Sequence, residues 1–325
     1  MDEYINFVQP APPGLETQTP LVLIHDGGGT PVSYYFLESL DREVYGIQNP
    51  RFYTCEPWEH GLPEMARLYA NLILSVVPSG PLLLGVETGL GESMNLVVMA
   101  ILSNDEGFAV LTTCAGWSLG GLLSLEVASI LMKNPAVRVV GIVMIDSIYP
   151  LVAPQRKLNV VPTQPNFSPE TKAQTRRLVL ESFKLSMSMV ERWIAPVWAG
   201  CKDPEMIRKR AELEKKLFPL GPRASYSGAH SEVSNAENLQ PLPKTILLRC
   251  SEYVPVALPD VPDAISRVDT VRDLRRLGWE KYPHDFTPTV MGIPGHHFSI
   301  FDEEHVFEVS TRIKLACKML EHGSV

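Results

Sequence analysis

The 325-residue sequence predicts an α/β fold, a mostly parallel central sheet flanked by helices, with a helical lid inserted in its second half. Three observations predict it. Strand-like and helix-like stretches alternate up to residue 150. A proline-bearing stretch, 151–243, then breaks the alternation with two helical segments before strands resume. Apolar residues make up 45% of the chain, enough for a core on both faces of a parallel sheet.

Each element follows from its local pattern. "PLVLIH" (20–25) is an apolar strand running into the glycine turn "DGGG", and "EVYGIQNP" (43–50) is a strand stopped by Pro50. Between them 32–41 reads as a helix. In 63–77, Met65, Leu68, Tyr69, Leu72 and Val76 recur at helical spacing. "PLLLG" (81–85) is a short buried strand, 119–133 a helix opening on small residues, and "VRVVGIVMID" (137–146) a β-branched strand ending on an aspartate. The insertion 151–243 carries helices near 168–194 and 203–218. Beyond it come a strand at 244–250, a helix near 266–277, a strand in 287–295 and a closing helix over 302–321. The chain reads as one domain, 1–325.

Charge and composition narrow the function. A net charge of −8 and a pI of about 5.6 speak against a nucleic-acid partner. "LVVMAIL" (96–102), the longest strongly apolar run, is too short for a bilayer, and the N-terminus lacks a signal pattern. Five scattered cysteines suit reduced thiols in a cytoplasmic protein. No histidine–carboxylate spacing suggests a metal site, and no cofactor is expected.

Gly116-Trp117-Ser118-Leu119-Gly120 is a G-x-S-x-G between strand and helix patterns, where a serine becomes a nucleophile on a sharp turn. Such a serine needs a base, an acid to orient the base and N–H donors for the oxyanion. For the base, chain order selects His297 in "GIPGHHFSIF", with His296 its neighbour and rival. For the acid, Asp146 ends the strand after the nucleophile, and Glu252 just past the following strand is the alternative. Leu119 N–H, at the start of the helix, is the first oxyanion donor; Gly27 is the second, with Gly28 the alternative.

These residues and their order resemble the thioesterase family of α/β-hydrolases that ends fungal polyketide and non-ribosomal peptide assembly lines. The resemblance rests on "LIHDGGGTPVSYYFL" (23–37), "YGIQNPRF" (45–52), "GLPEMARLYANLI" (61–73), "GWSLGG" (116–121), "GIVMIDSIYP" (141–150) and "GIPGHHFSIFDEEHV" (292–306). It implies an α/β-hydrolase fold, an acid at Asp146, a base at His297 and release of an acyl, polyketide or peptidyl chain through an acyl-Ser118 intermediate. It also implies a substrate presented on the phosphopantetheine arm of an acyl carrier protein or synthase acting in trans. The lid helix "TRRLVLESFKLSMSMVERW" (175–193) offers Phe183, Met187 and Val190 as a substrate wall, or equally as packing. "MIRKRAELEKK" (206–216) suits docking of an acidic carrier, although a solvated charged helix is the commoner use.

One stretch departs from that family. Its members run from a "PLLLG"-like strand directly into the serine motif, whereas here 86–115 intervene. Two readings stand. In one the segment is a genuine insertion, with "FAVLTTCAG" (108–116) feeding the serine and "PLLL" displaced. In the other it is a retained intron, since Cys114-Ala115-Gly116 can be encoded as a splice acceptor. A carboxylesterase or lipase on free esters, or a chain inactivated by the insertion, are the competing functions.

Overall fold

A computed structural model describes residues 3–86, 119–150, 159–161, 167, 171–217, 239–256, 258, 261 and 263–324. Among them, seven strands form the main sheet in the order β1-β3-β2-β4-β5-β7-β9. These are β1 (Ile5–Gln9), β2 (Leu21–Ile24), β3 (Val44–Ile47), β4 (Gly80–Val86), β5 (Val137–Ile145), β7 (Thr245–Cys250) and β9 (Thr289–Ile293). Only β1 is antiparallel to its neighbour; every other pairing in this sheet is parallel. A parallel sheet needs helical crossovers, and α1 (Leu62–Val76), α2 (Leu119–Leu131) and α5 (Val306–Glu321) cover its two faces.

The side chains explain the layering. Along β2, Val22 and Ile24 join one core with α1 and α2, while Leu21 and Leu23 join the other with α5. The same alternation runs through Leu82, Leu83 and Leu84 of β4 and through Ile142, Val143, Met144 and Ile145 of β5. Every residue of β2 is fully or almost fully buried, which is why these strands read as continuous apolar runs rather than alternating ones.

The lid segment contributes α3 (Ala173–Glu191) and α4 (Pro204–Leu217). β6 (Asn159–Val161), from the same segment, pairs with β8 (Ala264–Ser266) in a separate parallel ribbon. The polar loop 221–238 and residues 87–118 lie outside the described residues.

One open reading is settled, two helix expectations change and one strand is added. "PLLLG" is not displaced: β4 pairs with β2 on one side and β5 on the other, in register up to Val86. The helix expected near 266–277 is a 3₁₀ turn, Arg267–Asp269, followed by further turns. Bonds such as Arg272 N–H to Asp269 C=O and Leu274 N–H to Val271 C=O span three residues, and Leu277 at φ 50° and Gly278 at φ 88° stop any continuation. The helix at 32–41 shortens to a 3₁₀ turn, Val32–Phe36. The N-terminal stretch, read above only for the lack of a signal pattern, supplies the edge strand β1.

Candidate active site

Asp146 sits one residue past β5, at φ 43°, a left-handed conformation that aspartate tolerates better than most side chains. Its N–H donates to the Leu248 carbonyl at 2.6 Å, so the chain turns towards β7 at the carboxyl end of the sheet. The carboxylate is fully buried and accepts from the Cys250 N–H at 2.9 Å. The Arg272 guanidinium grips both oxygens, Nη1 to Oδ1 at 2.5 Å and Nη2 to Oδ2 at 2.6 Å. Burial works against the charge. Arg272, supported by His297, outweighs it and holds the carboxyl far below the usual carboxylate range.

His297 lies in the turn after β9 and is also fully buried. Its Nδ1 is 2.8 Å from Asp146 Oδ2. A carboxylate only accepts, so Nδ1 carries the proton and Nε2 presents the lone pair; the network assigns this tautomer. The turn is fixed by Gly295 at φ 74°, where a side chain would strike His305 and Ser299, and by Ser299 Oγ, which accepts from the His296 N–H at 3.0 Å. The alternatives sit differently. His296 is half-buried, and its Nδ1 accepts the Phe298 N–H at 3.2 Å. Glu252 is exposed, with its backbone N–H on the Gly295 carbonyl.

Ser118, with Gly116 and Trp117, lies outside the described residues. Leu119 opens α2 and is fully buried. Two residues on, a Cβ added at Gly121 would lie 2.7 Å from the Ser147 Cβ. The first turn of α2 is therefore pressed against the turn that carries Asp146.

The loop after β2 completes this end of the sheet. His25 is fully buried, its Nδ1 donating to the Asp26 carbonyl and its Nε2 accepting from the Tyr69 hydroxyl, both at 2.5 Å. Burial lowers its pKa to about 4, against the pull of the Asp26 carbonyl. The Gly28 N–H is consumed by Asp26 Oδ1 at 2.7 Å, whereas the Gly27 N–H has no partner among the described residues. The Gly27 carbonyl accepts from Ser182 Oγ at 2.9 Å and Ser186 Oγ at 3.2 Å, both on α3. The lid helix thus pins this loop, a link that no spacing in the sequence announces. Phe183 packs there with Phe52, Leu178 and Val179, and its ring tip lies 3.4 Å from where a Gly28 side chain would begin. Met187 is half-buried, and Val190, 1% exposed, belongs to the main core.

Two residues outside the sequence reading matter most here. Arg272 and Asp269 were covered by an apparently ordinary helix, yet Arg272 is 1% and Asp269 2% exposed. Arg272 Nε donates to Asp269 Oδ1 at 2.9 Å, and Val254 N–H donates to Oδ2 at 2.7 Å. The available signal was a D-x-x-R spacing, which a solvated helix uses just as often. Among the described residues, no group of three or more metal-ligating side chains is assembled, and no helix is long and apolar enough to cross a membrane.

No protein-family profile matches the chain. Individual proteins do. The probable thioesterase gloN of Glarea lozoyensis is 35% identical over 319 residues, covering 97% of this chain and 93% of its own. Thioesterase frbE of a Dothideomycetidae species is 30% identical over 324 residues, covering 97% and 96%. Among solved structures, the NocB thioesterase domain from the nocardicin cluster superposes with a TM-score of 0.54 at 19% identity, covering 98% of this chain and all of that one. That likeness carries the fold: a mostly parallel sheet with flanking helices, the α/β-hydrolase arrangement. End-to-end identity to the fungal proteins carries the family, and the chain belongs to the thioesterase family of α/β-hydrolases, in the fungal group that these relatives represent.

Proposed function

We propose that this thioesterase releases an acyl, polyketide or peptidyl chain from a carrier protein through an acyl-Ser118 intermediate. The observation that carries the reading is the buried His297–Asp146 pair at the sheet's carboxyl edge, beside the first turn of α2. Ser118 immediately precedes that turn in the sequence. Its Oγ attacks the thioester carbonyl while His297 Nε2 takes the proton, and Asp146 holds the imidazole and offsets its new charge. The oxyanion is received by the N–H groups of Leu119 and Gly27, each donor worth about 3–4 kcal/mol. The C–S bond breaks, and His297 returns the proton to the departing thiolate of the phosphopantetheine arm. Water, or a nucleophile within the substrate, then attacks the acyl-serine in the same manner. Phe183 and Met187 would flank the acyl chain on the lid side, while Val190 serves packing.

The trans partner in this reading is a carrier domain of an assembly line, a reading supported by the thioesterase family to which the chain belongs. The test is covalent labelling of the folded protein by a fluorophosphonate, lost in Ser118→Ala. It is paired with turnover of acyl-carrier and acyl-cysteamine thioesters against nitrophenyl esters. Faster cleavage of the free nitrophenyl esters would replace chain release with a carboxylesterase activity.

A further inference from the structure

We infer that Arg272 and Asp269 are positioning residues for the charge relay, a balanced pair that fixes the Asp146 carboxylate and sets how much negative charge reaches His297. The inference rests on the reading of Asp146 and His297 as the acid and base of Ser118. It concerns residues that neither the serine motif nor the histidine loop contains.

The geometry makes the case. Arg272 spends its fork on Asp146, both oxygens within 2.6 Å, and its Nε on Asp269. All three side chains are essentially inaccessible to water. Arg272 Nη2 and His297 Nδ1 share the same oxygen, at 2.6 and 2.8 Å. The two heads are therefore within about 6 Å, where a charge typically moves a neighbour's ionisation by roughly one to three pH units. A lone guanidinium there would cancel the carboxylate that must stabilise the imidazolium. Asp269 corrects this. Burial pushes its carboxyl up, while Arg272 and the Val254 N–H pull the other way: it accepts two hydrogen bonds, from Arg272 Nε and Val254 N–H, as an ionised carboxylate does, and it sits on the far side of the guanidinium. The cluster of two carboxylates and one guanidinium keeps one net negative charge, and the fork leaves Asp146 little rotational freedom.

Other ionisable groups lie around the cluster, with Arg249 a further cation near its edge. The Cys250 thiol is pushed up by burial and by Asp146, which keeps it neutral. His296 is held down by burial, with Asp269 and Glu252 pulling the other way. Arg249 donates to the Arg272 carbonyl at 2.6 Å; Asp273 is engaged by the Tyr253 hydroxyl, and His305 lies against Glu304.

The experiment measures the rate of fluorophosphonate labelling against pH in the full-length protein. Arg272→Met removes the cation, so the acid limb of the profile moves up by about one pH unit; Asp269→Asn removes the balancing anion, so the limb moves down. The double variant falls between the two. Arg272→Lys keeps the charge and loses the fork, so its limb stays in place while the rate drops about tenfold through misorientation. Should Arg272→Met not fold, Asp269→Asn and Arg272→Lys still give the charge and geometry readouts. Single variants that shift together, or that slow labelling with no shift in any profile, overturn the inference and leave Arg272 a structural ion pair. Labelling that survives in Ser118→Ala overturns the site reading itself, and the inference with it.

Discussion

Arg210→Met should detach the second lid helix from α2 at a cost that can be worked from the contacts. Glu126, in the middle of α2, is fully buried. Its carboxylate accepts Arg210 Nη1 at 2.9 Å and Nη2 at 2.7 Å, and Trp193 Nε1 at 2.7 Å. Arg210 lies on α4 and Trp193 just past α3, so one carboxylate ties both lid helices to α2. Methionine fills much of the arginine's volume and removes both charged bonds to Glu126, together with the Nε bond to the partly exposed Glu214 at 3.0 Å and the Nη1 bond to the Ile194 carbonyl at 2.9 Å. The stranded carboxylate keeps Trp193 from this trio, and breaking one half of a buried pair costs about 3–5 kcal/mol. A domain's total stability is roughly 5–15 kcal/mol, so the loss is a large share. Urea unfolding followed by tryptophan fluorescence should show a midpoint lowered by about 1 M with the slope unchanged. The second variant isolates the cause. In Glu126→Gln/Arg210→Met the amide oxygen still serves Trp193 while no charge is left buried, so most of the loss returns. A cost below about 1 kcal/mol for Arg210→Met, or a double variant no more stable than the single, would refute the reasoning.

Gly121→Ala should destabilise the protein by about 1–3 kcal/mol and slow Ser118 labelling, because the new methyl lands 2.7 Å from the Ser147 Cβ and pushes α2 off the Asp146 turn; unchanged melting and labelling would contradict that packing. His25 links stability to pH. Its pKa falls from an ordinary 6.5 to about 4 on folding, so its contribution is complete above pH 6.5 and disappears as pH drops towards 4, up to about 3 kcal/mol. The depressed Asp146 acts below that window, and a wild-type urea midpoint that is flat from pH 6.5 to 4, or one equally steep in His25→Gln, would disprove the assignment. Deleting residues 86–115 should leave a folded chain whose Ser118 labelling is equal to or faster than the parent's, read by melting and fluorophosphonate rate, since the retained residues 80–85 already pair with both neighbours of β4 and only the last rung, at Val86, is lost; a deletion variant that does not fold would show that the segment is needed.

What was legible in the sequence depended on how local its cause was. The buried strands were readable because each carries its own signal: Leu21–Ile24 and Val137–Ile145 are apolar runs bounded by turn residues. The Asp146–His297 approach was readable because both residues close strands, and strands that lie parallel bring their carboxyl ends to one edge. What failed was non-local. Val268, Val271, Leu274 and Leu277 mimic a helical stripe, but three-residue turns bury Val268, Val271 and Leu277 and half-bury Leu274 while sending Asp269 and Arg272 inward, Arg272 onto a carboxylate more than a hundred residues away in sequence. The same limit hid the serines of α3. Ser182 and Ser186 lie four apart on one helix face and read as ordinary polar positions. Only the fold brings the Gly27 carbonyl over them, and with it a physical link between the lid and the loop proposed to receive the oxyanion. A lid that moved as a unit would break two hydrogen bonds to that loop each time it opened. Closure of such a lid and the aim of the Gly27 N–H would then be one event.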